Sequence, residues 1–326
     1  MEKHNKKKKN LQDKVFISGR NFIGLEKLGK GTFGSVYKVH NLDSNFLHAI
    51  KKIKLDVDRE GIPSTVLREI SILKSSNHPN IVKIQDIAIG NKTIEICLEY
   101  FPLDLRKFIE QYKNDNIIYN IDTVRSIIYQ ITRATNYLHS RKILHRDIKP
   151  QNILFCDQTL VTKIADFGLS RVYSVPIRSY TQKVLTMYYR APELLMGLDQ
   201  YSIGVDIWSI GCVMAELLIK FPLFIGDSET DQLKKIFEVL GSPNENIFPG
   251  CKFPEFKLDP TPIGVDNFVK KRLKIEMETN ILDEALDLLR RLLALNPYER
   301  ISAKEALSHV RYKNIFIYIS LSSRML

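Results

Sequence analysis

The chain has 326 residues, 44% hydrophobic and 26% charged, which is typical of a globular protein large enough for two lobes. Its formal net charge of +11 would fit a nucleic-acid or acidic partner, but Lys3 and Lys6 to Lys9 supply five of those charges. Residues 1–20 are therefore predicted to form a basic disordered extension, in which the lysine run is a weak nuclear-import signal. No apolar window approaches the roughly eighteen residues that a membrane span needs.

The four cysteines lie far apart in the sequence, which argues against a disulfide framework or a cysteine metal site. No apolar segment that could act as a secretory signal follows the lysine run. We therefore expect a reducing compartment, the cytoplasm, the nucleus or both.

The first ordered elements are predicted to form a glycine-rich hairpin. A strand over Phe22–Leu28 leads into Gly29-Lys30-Gly31-Thr32-Phe33-Gly34, and Ser35–His40 reads as a second strand. A dinucleotide-binding fold would instead place a helix after the glycines. A hairpin of this kind can lie over phosphate groups, because its backbone amides are not covered by side chains.

The next strand, His48–Ile53, places Ala49, Lys51 and Ile53 on one face. A helix is predicted over Pro63–Ser76, with a proline at its start and an apolar stripe formed by Val66, Ile70 and Leu73. Glu69 lies on the flank of that stripe, where a carboxylate is costly unless it is paired. We predict that Glu69 pairs with Lys51.

Two further strands are predicted over Ile81–Ile89 and Thr93–Leu98, and a proline-containing link follows them. The link marks a boundary between a strand-rich lobe, residues 21–101, and a helix-rich lobe, residues 102–312, with a C-terminal tail over 313–326. Helical residues begin at Leu105, and a long helix is predicted over Asp122–Ser140.

The polar segment after that helix, His145-Arg146-Asp147-Ile148-Lys149-Pro150-Gln151-Asn152, lies between apolar pairs and suits phosphoryl transfer. Asp147 can accept the proton of an attacking hydroxyl, and Lys149 can neutralise charge on the moving phosphate. Asn152 and Asp166, which follows an apolar strand, can together hold Mg²⁺. Either residue alone would be more typical of a turn.

These segments together resemble the eukaryotic protein kinase family. The resemblance covers residues 21–312 and rests on GKGTFGSV, HAIK, HRDIKPQN, DFG and APE, in that order. It implies an α+β fold with a small β-rich lobe and a larger helical lobe, and it implies ATP and Mg²⁺ as cofactors.

A closer resemblance is to the cyclin-dependent kinases. The segment Pro63-Ser64-Thr65-Val66-Leu67-Arg68-Glu69 is similar to the helix with which that family docks its cyclin, and YTQKVLTMYYRAPE, YSIGVDIWSIGCVMAE and GDSETDQL match the same family. Mitogen-activated kinases are the nearest alternative, but they carry a tyrosine where this chain has Lys183. The resemblance implies a cyclin-activated serine/threonine kinase that acts on Ser/Thr-Pro sites in cell-cycle control.

The resemblance also implies roles for individual residues. Asp147, Lys149, Thr186, Lys51 and Glu69 are expected to be catalytic, and Asn152 and Asp166 to bind the metal. The expected nucleotide-binding residues are Gly29, Lys30, Gly31, Thr32, Phe33, Gly34, Val36, Ala49, Lys51, Leu98, Glu99, Phe101, Asp104, Gln151 and Leu154. Val184, Leu185 and Arg190 are expected to form the substrate pocket, and Glu193 to pair with Arg300.

Thr181 is the activating phosphosite by resemblance. The arginines Arg68, Arg146 and Arg171 would repel one another if they converged, and a phosphate of charge about −1.5 to −2 could bind all three. A separate activating kinase is expected to modify Thr181. Phe33 stands where the family usually has a phosphorylated tyrosine, so inhibitory phosphorylation is either missing or relies on Thr32 alone.

Two other functions fit the sequence less well. A kinase-fold scaffold without catalysis would be expected to lack one of Lys51, Asp147, Asn152 and Asp166, and all four are present. A nucleic-acid binder ranks lowest, because the positive charge is concentrated in the N-terminal tail, which has no interleaved aromatic residues.

Overall fold

The computed structural model describes residues 14–17, 20–31, 34–55, 62–90, 92–113, 121–172, 187–198, 202–243, 261–273 and 280–309. These residues divide into two compact units. The first contains the described residues up to Asn77 together with Ile81–Pro102, and the second contains His78–Asn80 and the described residues from Leu103 onward. The domain boundaries predicted from the sequence stay predictions.

The first unit is an antiparallel sheet with one helix. Its elements are β1 (Lys14–Ile17), β2 (Arg20–Gly31), β3 (Gly34–Asn41), β4 (Leu47–Lys54), α1 (Ser64–Ser75), β5 (Ile84–Ile89) and β6 (Thr93–Glu99). The six strands are ordered β1-β2-β3-β4-β6-β5. Because β1 pairs with the start of β2, regular structure begins before Asn21, within the segment predicted to be an extension.

One buried apolar cluster of the first unit lies on the side of the sheet that carries α1, and another, which includes Phe22 and Ile50, lies on the opposite face. Ile53, Ile94 and Ile96 from adjacent strands pack with Val66 of the helix. Glu69 is buried beside this stripe, whereas Ile70, predicted to belong to it, is only half-buried. The helix therefore turns a carboxylate toward the sheet, where it requires a cation.

The second unit is mostly helical among its described residues. Its elements are β7 (Leu103–Asp104), α2 (Leu105–Gln111), α3 (Ile121–Ser140), β8 (Ile143–Leu144), β9 (Ile153–Cys156), β10 (Val161–Ile164), β11 (Arg171–Val172), α4 (Pro192–Leu195), α5 (Gly204–Ile219), α6 (Glu229–Leu240), α7 (Val265–Leu273), α8 (Asn280–Leu292) and α9 (Ala303–Leu307). The short strands form two small antiparallel sheets, β10-β9-β7 and β11-β8. The predicted α+β fold is confirmed.

Helix α5 is the centre of the second unit, since every one of its residues is buried. A side chain at Gly211 would place its Cβ 2.7 Å from Leu293, so the glycine permits close packing against the end of α8. The predicted pair between Glu193 and Arg300 is confirmed: Arg300 Nη1 lies 2.7 Å from Glu193 Oε1, and both side chains are buried. The guanidinium also donates to the carbonyl of Gly204 at the start of α5.

The short segment His78–Asn80 is anchored in the second unit by a buried amide network. Asn80 Nδ2 donates to Gln130 Oε1 of α3 at 2.8 Å and to the Thr162 carbonyl of β10 at 2.9 Å. The backbone amide of Thr162 donates to the same Gln130 oxygen. The His78 Nδ1 atom accepts the Asn80 amide, and its ring packs on Tyr137 at 5.0 Å between centroids.

None of the helices among the described residues is both long enough and apolar enough to span a membrane.

The environment of His78 predicts how stability depends on pH. Burial, followed by the nearby charges of Arg133, Arg141 and Lys163, lowers the pKa of His78 to about 4. Unfolded chains protonate histidine near pH 6.5, so this neutral ring stabilises the fold above that pH, and the contribution is lost as the pH falls toward 4. Because the ring is half-exposed, we expect a loss of only about 1 kcal/mol.

Urea unfolding of the wild type and of His78→Asn at pH 7 and at pH 4.5 tests this expectation. Asparagine keeps an acceptor for the Asn80 amide but does not titrate. The wild type should lose about 1 kcal/mol more than the variant between the two pH values. Equal losses in the two proteins would contradict the assignment.

Candidate active site

In the first unit the ion pair between Lys51 and Glu69 is formed. Lys51 Nζ lies 2.7 Å from Glu69 Oε1 and 2.9 Å from Oε2, so both carboxylate oxygens are engaged. The side chains are 12% and 3% exposed, respectively. A salt bridge this buried keeps its geometry only because both charges are satisfied, and it fixes the lysine to one side of the sheet.

The strand register places the predicted nucleotide-binding residues of this unit on that same side. Val36 lies opposite Lys51, and Ala49 lies opposite Leu98. Directly opposed residues of antiparallel strands point to one face, so these side chains form a continuous surface over β3, β4 and β6.

Gly29 and Gly34 differ in what surrounds them. A Cβ on Gly34 would lie 2.1 Å from the Lys52 carbonyl oxygen, so this glycine is required for strand pairing. A Cβ on Gly29 would meet no atom within 4 Å. Gly29 therefore leaves open space at the hairpin, whereas Gly34 serves the sheet.

In the second unit Asp147 is held by two neighbours in its own loop. Lys149 Nζ lies 2.7 Å from Asp147 Oδ2 and 3.0 Å from Oδ1. Asn152 Nδ2 donates to the backbone carbonyl and to Oδ2 of Asp147, both at 2.8 Å. Pro150–Asn152 forms a turn of 3₁₀ helix, which brings Asn152 back toward Asp147. The carboxylate is fixed in orientation, as a proton acceptor in catalysis must be.

Asn152 and Asp166 offer oxygen atoms suited to Mg²⁺. Since both bonds to Asp147 use the Asn152 amide nitrogen, its Oδ1 atom is the one that remains for a ligand. Asp166 has a left-handed backbone conformation with φ 62° and ψ 77°, which is costly for a non-glycine residue and recurs at functional sites. The described residues contain no group of three or more His, Cys, Asp or Glu side chains arranged to hold a metal. Two hard oxygen ligands suit Mg²⁺, which takes its other ligands from water and phosphate.

The residue before Asp166 is fixed from both sides. The Ala165 amide donates to the Asn152 carbonyl at 2.9 Å, and the Ala165 carbonyl accepts from His145 Nε2 at 3.1 Å. His145 Nδ1 accepts a hydrogen bond from the amide of Asp147. This bond and the one to the Ala165 carbonyl both require the imidazole tautomer with its hydrogen on Nε2. The His145 ring also packs edge-on against Phe167, with centroids 4.8 Å apart. Asp147, Asn152 and Asp166 are thus connected through His145 and Ala165.

The loop is attached to the core through Asp206, which the sequence analysis missed. This residue lies in the first turn of α5 and is fully buried. Its Oδ1 accepts the amide of Arg146 at 2.7 Å, and its Oδ2 accepts the amide of His145 and Nε2 of His139, both at 2.9 Å. A signal was present in the sequence, because a carboxylate inside an apolar helix needs buried partners.

The charge on Asp206 is stabilised despite its burial. Burial alone would raise the pKa of this carboxyl, but the hydrogen bond and charge of His139 and the amide of Arg146 outweigh it, and the pKa is below its ordinary value. Arg146 has a positive φ of 69°, a conformation that the bond from its amide to Asp206 supports.

Other predicted nucleotide contacts have structural partners in their own units. The Glu99 amide donates to the Lys83 carbonyl, and its side chain accepts the Lys83 amide at 2.7 Å. Asp104 caps α2 by accepting the Lys107 amide at 2.9 Å. The nucleotide-binding roles expected of Glu99, Phe101, Asp104, Gln151 and Leu154 stay predictions. Gln151 is exposed and Leu154 is half-buried.

Arg190, predicted for the substrate pocket, lies 3.3 Å from Glu229 of α6. Arg171 is paired with Leu144, and Leu144 lies two residues before Arg146. Arg171 and Arg146, both predicted for the phosphate site, therefore lie in adjacent chain segments. Several other predicted residues lie outside the described part of the chain: Thr32, Phe33, Thr181, Val184, Leu185 and Thr186. For Lys30 and Gly31 only the backbone, in β2, is described, and Arg68 lies on α1 in the first unit.

A family model described as the protein kinase domain matches residues 22–311, which include every described residue of both parts of the site.

Substitution of Asp206 tests its role in holding the loop. In Asp206→Asn, one amide oxygen must replace two carboxylate oxygens, and an amide N–H would face a backbone N–H. We expect the free energy of unfolding to fall by about 3–5 kcal/mol at pH 7, measured by urea titration. Because the pKa of Asp206 is lowered, the wild-type contribution is present above the unfolded value and is lost as the pH falls through the folded one.

Asp283→Asn is the matched control, since Asp283 lies in the first turn of α8 and pairs with Lys270 at 3.6 Å near the surface. That variant should lose no more than about 1 kcal/mol. A similar loss in the two variants would show that Asp206 does not hold the loop.

Proposed function

This chain belongs to the protein kinase family, which implies phosphorylation of proteins, and on that premise we propose that it is a cyclin-activated serine/threonine kinase directed to Ser/Thr-Pro sites. The observation that carries the proposal is the set of contacts around Asp147, whose carboxylate is oriented by Lys149 and Asn152. The finer assignment to the cyclin-dependent kinases rests on the sequence of α1 and of the segments around Thr181 and Asp206.

In this proposal Asp147 is the proton acceptor. The substrate hydroxyl gives its proton to the Asp147 carboxylate, and the hydroxyl oxygen forms a new bond to the γ-phosphorus of ATP. The bond from that phosphorus to the leaving group, ADP, breaks. Lys149, whose Nζ lies 2.7 Å from Asp147, balances the negative charge on the phosphoryl group as it is transferred. Thr186 is expected to help position Asp147.

Asn152 and Asp166 would hold Mg²⁺, and the face formed by Val36, Ala49 and Leu98 would receive the adenine. When bound, MgATP supplies the phosphoryl group. Lys51 would contact its phosphates, and Glu69 keeps the lysine side chain in place through both carboxylate oxygens. Catalysis of this type depends mainly on positioning and charge, which are the functions of these side chains.

Helix α1 is the proposed contact for the cyclin. It begins directly after Pro63 and carries Glu69 on its buried side and Leu67 on the opposite side. Leu67 is 51% exposed, so a large apolar side chain faces outward on the helix that positions the catalytic lysine. A partner that covers Leu67 would stabilise the helix in the orientation that pairs Glu69 with Lys51.

Phosphorylation of Thr181 is the proposed second control. Arg146 is half-buried and directly precedes the proposed base, Asp147. Arg171 lies on β11, which pairs with β8 just before the same loop. A phosphate bound by these two arginines and by Arg68 would link the activation segment to α1 and to the catalytic loop.

An assay of phosphate transfer from labelled ATP to Ser-Pro and Ser-Ala peptides, with and without candidate cyclins, tests the function. We expect activity on the Ser-Pro peptide only with a cyclin present. Asp147→Asn should lower kcat by about 10²–10⁴-fold without a loss of stability, because it removes the proton acceptor. Full activity of the purified chain without a cyclin would contradict cyclin dependence, and equal use of both peptides would contradict proline direction. Absence of activity under all conditions would favour a scaffold.

Thr181→Ala tests the phosphosite, with Ser179→Ala in the same segment as control. Loss of one to three charge-assisted hydrogen bonds should lower kcat/KM by about a hundredfold in the cyclin-bound enzyme that has been treated with an activating kinase. The melting temperature of the unphosphorylated chain should not change, because these bonds form only with the phosphate. Undiminished activity of Thr181→Ala would contradict the assignment, as would an equal loss in Ser179→Ala.

A further inference from the structure

One face of α3 carries a repeating pattern that the proposed function does not use. Tyr129, Arg133, Tyr137 and Arg141 follow one another at four-residue spacing, and Arg141 comes directly after the last helical residue, Ser140. Residues four apart lie above one another on a helix, so tyrosines and arginines alternate along one side.

Each guanidinium in this stripe lies over a tyrosine ring. The Arg141 guanidinium carbon is 3.6 Å from the Tyr137 centroid, and that of Arg133 is 5.8 Å from the Tyr129 centroid. Arg141 is exposed and Arg133 is half-buried. Among the described residues neither arginine pairs with a carboxylate. Both side chains are thus held in place by rings while their charge is not neutralised by an acid.

The same surface includes residues from two other parts of the second unit, a lysine and a histidine. Lys163 lies on β10, and the ring of His78 packs on Tyr137 with centroids 5.0 Å apart. Burial lowers the pKa of His78, and the charges of Arg133, Arg141 and Lys163 lower it further, to about 4. All three cations therefore lie close enough to one imidazole to disfavour its protonation.

We propose that this basic surface, formed by His78, Arg133, Arg141 and Lys163, binds a phosphorylated segment of a partner protein. A phosphate dianion offers three acceptor oxygens to planar guanidinium donors, and arginine clusters are a recurrent means of recognising phosphorylated peptides. The rings restrict the arginine side chains before binding, so less conformational entropy is lost when a phosphate is bound.

The contacts of the tyrosines favour a protein partner over a nucleic acid. Single-stranded nucleic acid is bound by stacking its bases on open aromatic faces. Tyr129 is only 5% exposed, and Tyr137 is covered by Arg141 and contacts His78. The stripe thus offers positive charge without a free ring for a base.

Binding at this surface does not require phosphoryl transfer. It is expected to persist in Asp147→Asn, so its failure and the failure of the proposed function can be distinguished. A partner held there would be kept beside the kinase whether or not it is itself a substrate.

Fluorescence anisotropy with the full chain and a short labelled Gly/Ser peptide carrying phosphoserine tests the proposal. The unphosphorylated twin, a single-stranded RNA oligonucleotide and anionic phospholipid vesicles are the other probes. We expect the phosphopeptide to bind most tightly. Arg133→Gln combined with Arg141→Gln should weaken it by about a hundredfold, that is, about tenfold for each charge-assisted contact.

Lys271→Gln combined with Arg272→Gln is the matched control, because both are exposed cations in the last turn of α7 and their loss removes the same two charges elsewhere. That variant should bind as the wild type does. Equal affinity for the unphosphorylated twin, tighter binding of RNA or of vesicles, or undiminished binding by the double variant would overturn the proposal.

A second measurement on the wild type does not depend on how well the variants fold. Binding of the phosphopeptide should raise the pKa of His78 from about 4 toward its ordinary value, because the phosphate offsets the surrounding cations. Titration of the His78 ring by NMR with and without the peptide measures this shift. An unchanged titration at saturating peptide would place binding elsewhere and overturn the assignment.

Discussion

The buried carboxylate of Asp206 is the interaction on which the catalytic loop depends. It accepts the amides of two consecutive loop residues, His145 and Arg146, and also bonds to His139 at the end of α3. Three donors and the N-terminal end of α5 compensate for the burial of its charge. Because α5 is buried along its whole length, Asp206 attaches the loop to a helix that is packed on all sides.

The bonds of Asp206 also fix the other residues of the loop, through a series of contacts between neighbouring side chains. With its amide fixed by Asp206, His145 directs its ring toward Phe167 and toward the carbonyl of Ala165. The Ala165 amide bonds to Asn152, whose side chain in turn orients Asp147. The proposed base and both proposed metal ligands therefore share one set of bonds, so a shift of the loop would move all three together.

The elements of the fold and several site residues could be predicted from the sequence, because they depend on patterns within short segments of the chain. The long helix was predicted over Asp122–Ser140 and is observed over Ile121–Ser140, since its apolar spacing and the turn after it are local signals. The pair of Lys51 with Glu69 followed from a carboxylate beside an apolar stripe. The bond from Asp206 to a loop some 60 residues earlier has no local signal apart from a charge in an apolar helix. The requirement for Gly34 depends on the backbone of a neighbouring strand, which the hairpin sequence alone does not reveal.

Helix α3 shows that part of the net charge of +11 lies on the folded part of the chain and not only in the N-terminal lysine run. Gln130 bonds to Asn80 and to the start of β10, and His139, on the opposite side of the helix, bonds to Asp206. Arg133, one turn along the helix from Gln130, lies over a tyrosine without a carboxylate partner among the described residues. The contacts of Gln130 and His139 hold the strands and loop that carry the proposed catalytic groups, and because they are buried they tolerate little change. The charges of Arg133 and Arg141 form no ion pair with a carboxylate among the described residues, so they are better explained by an external anion than by a need of the fold.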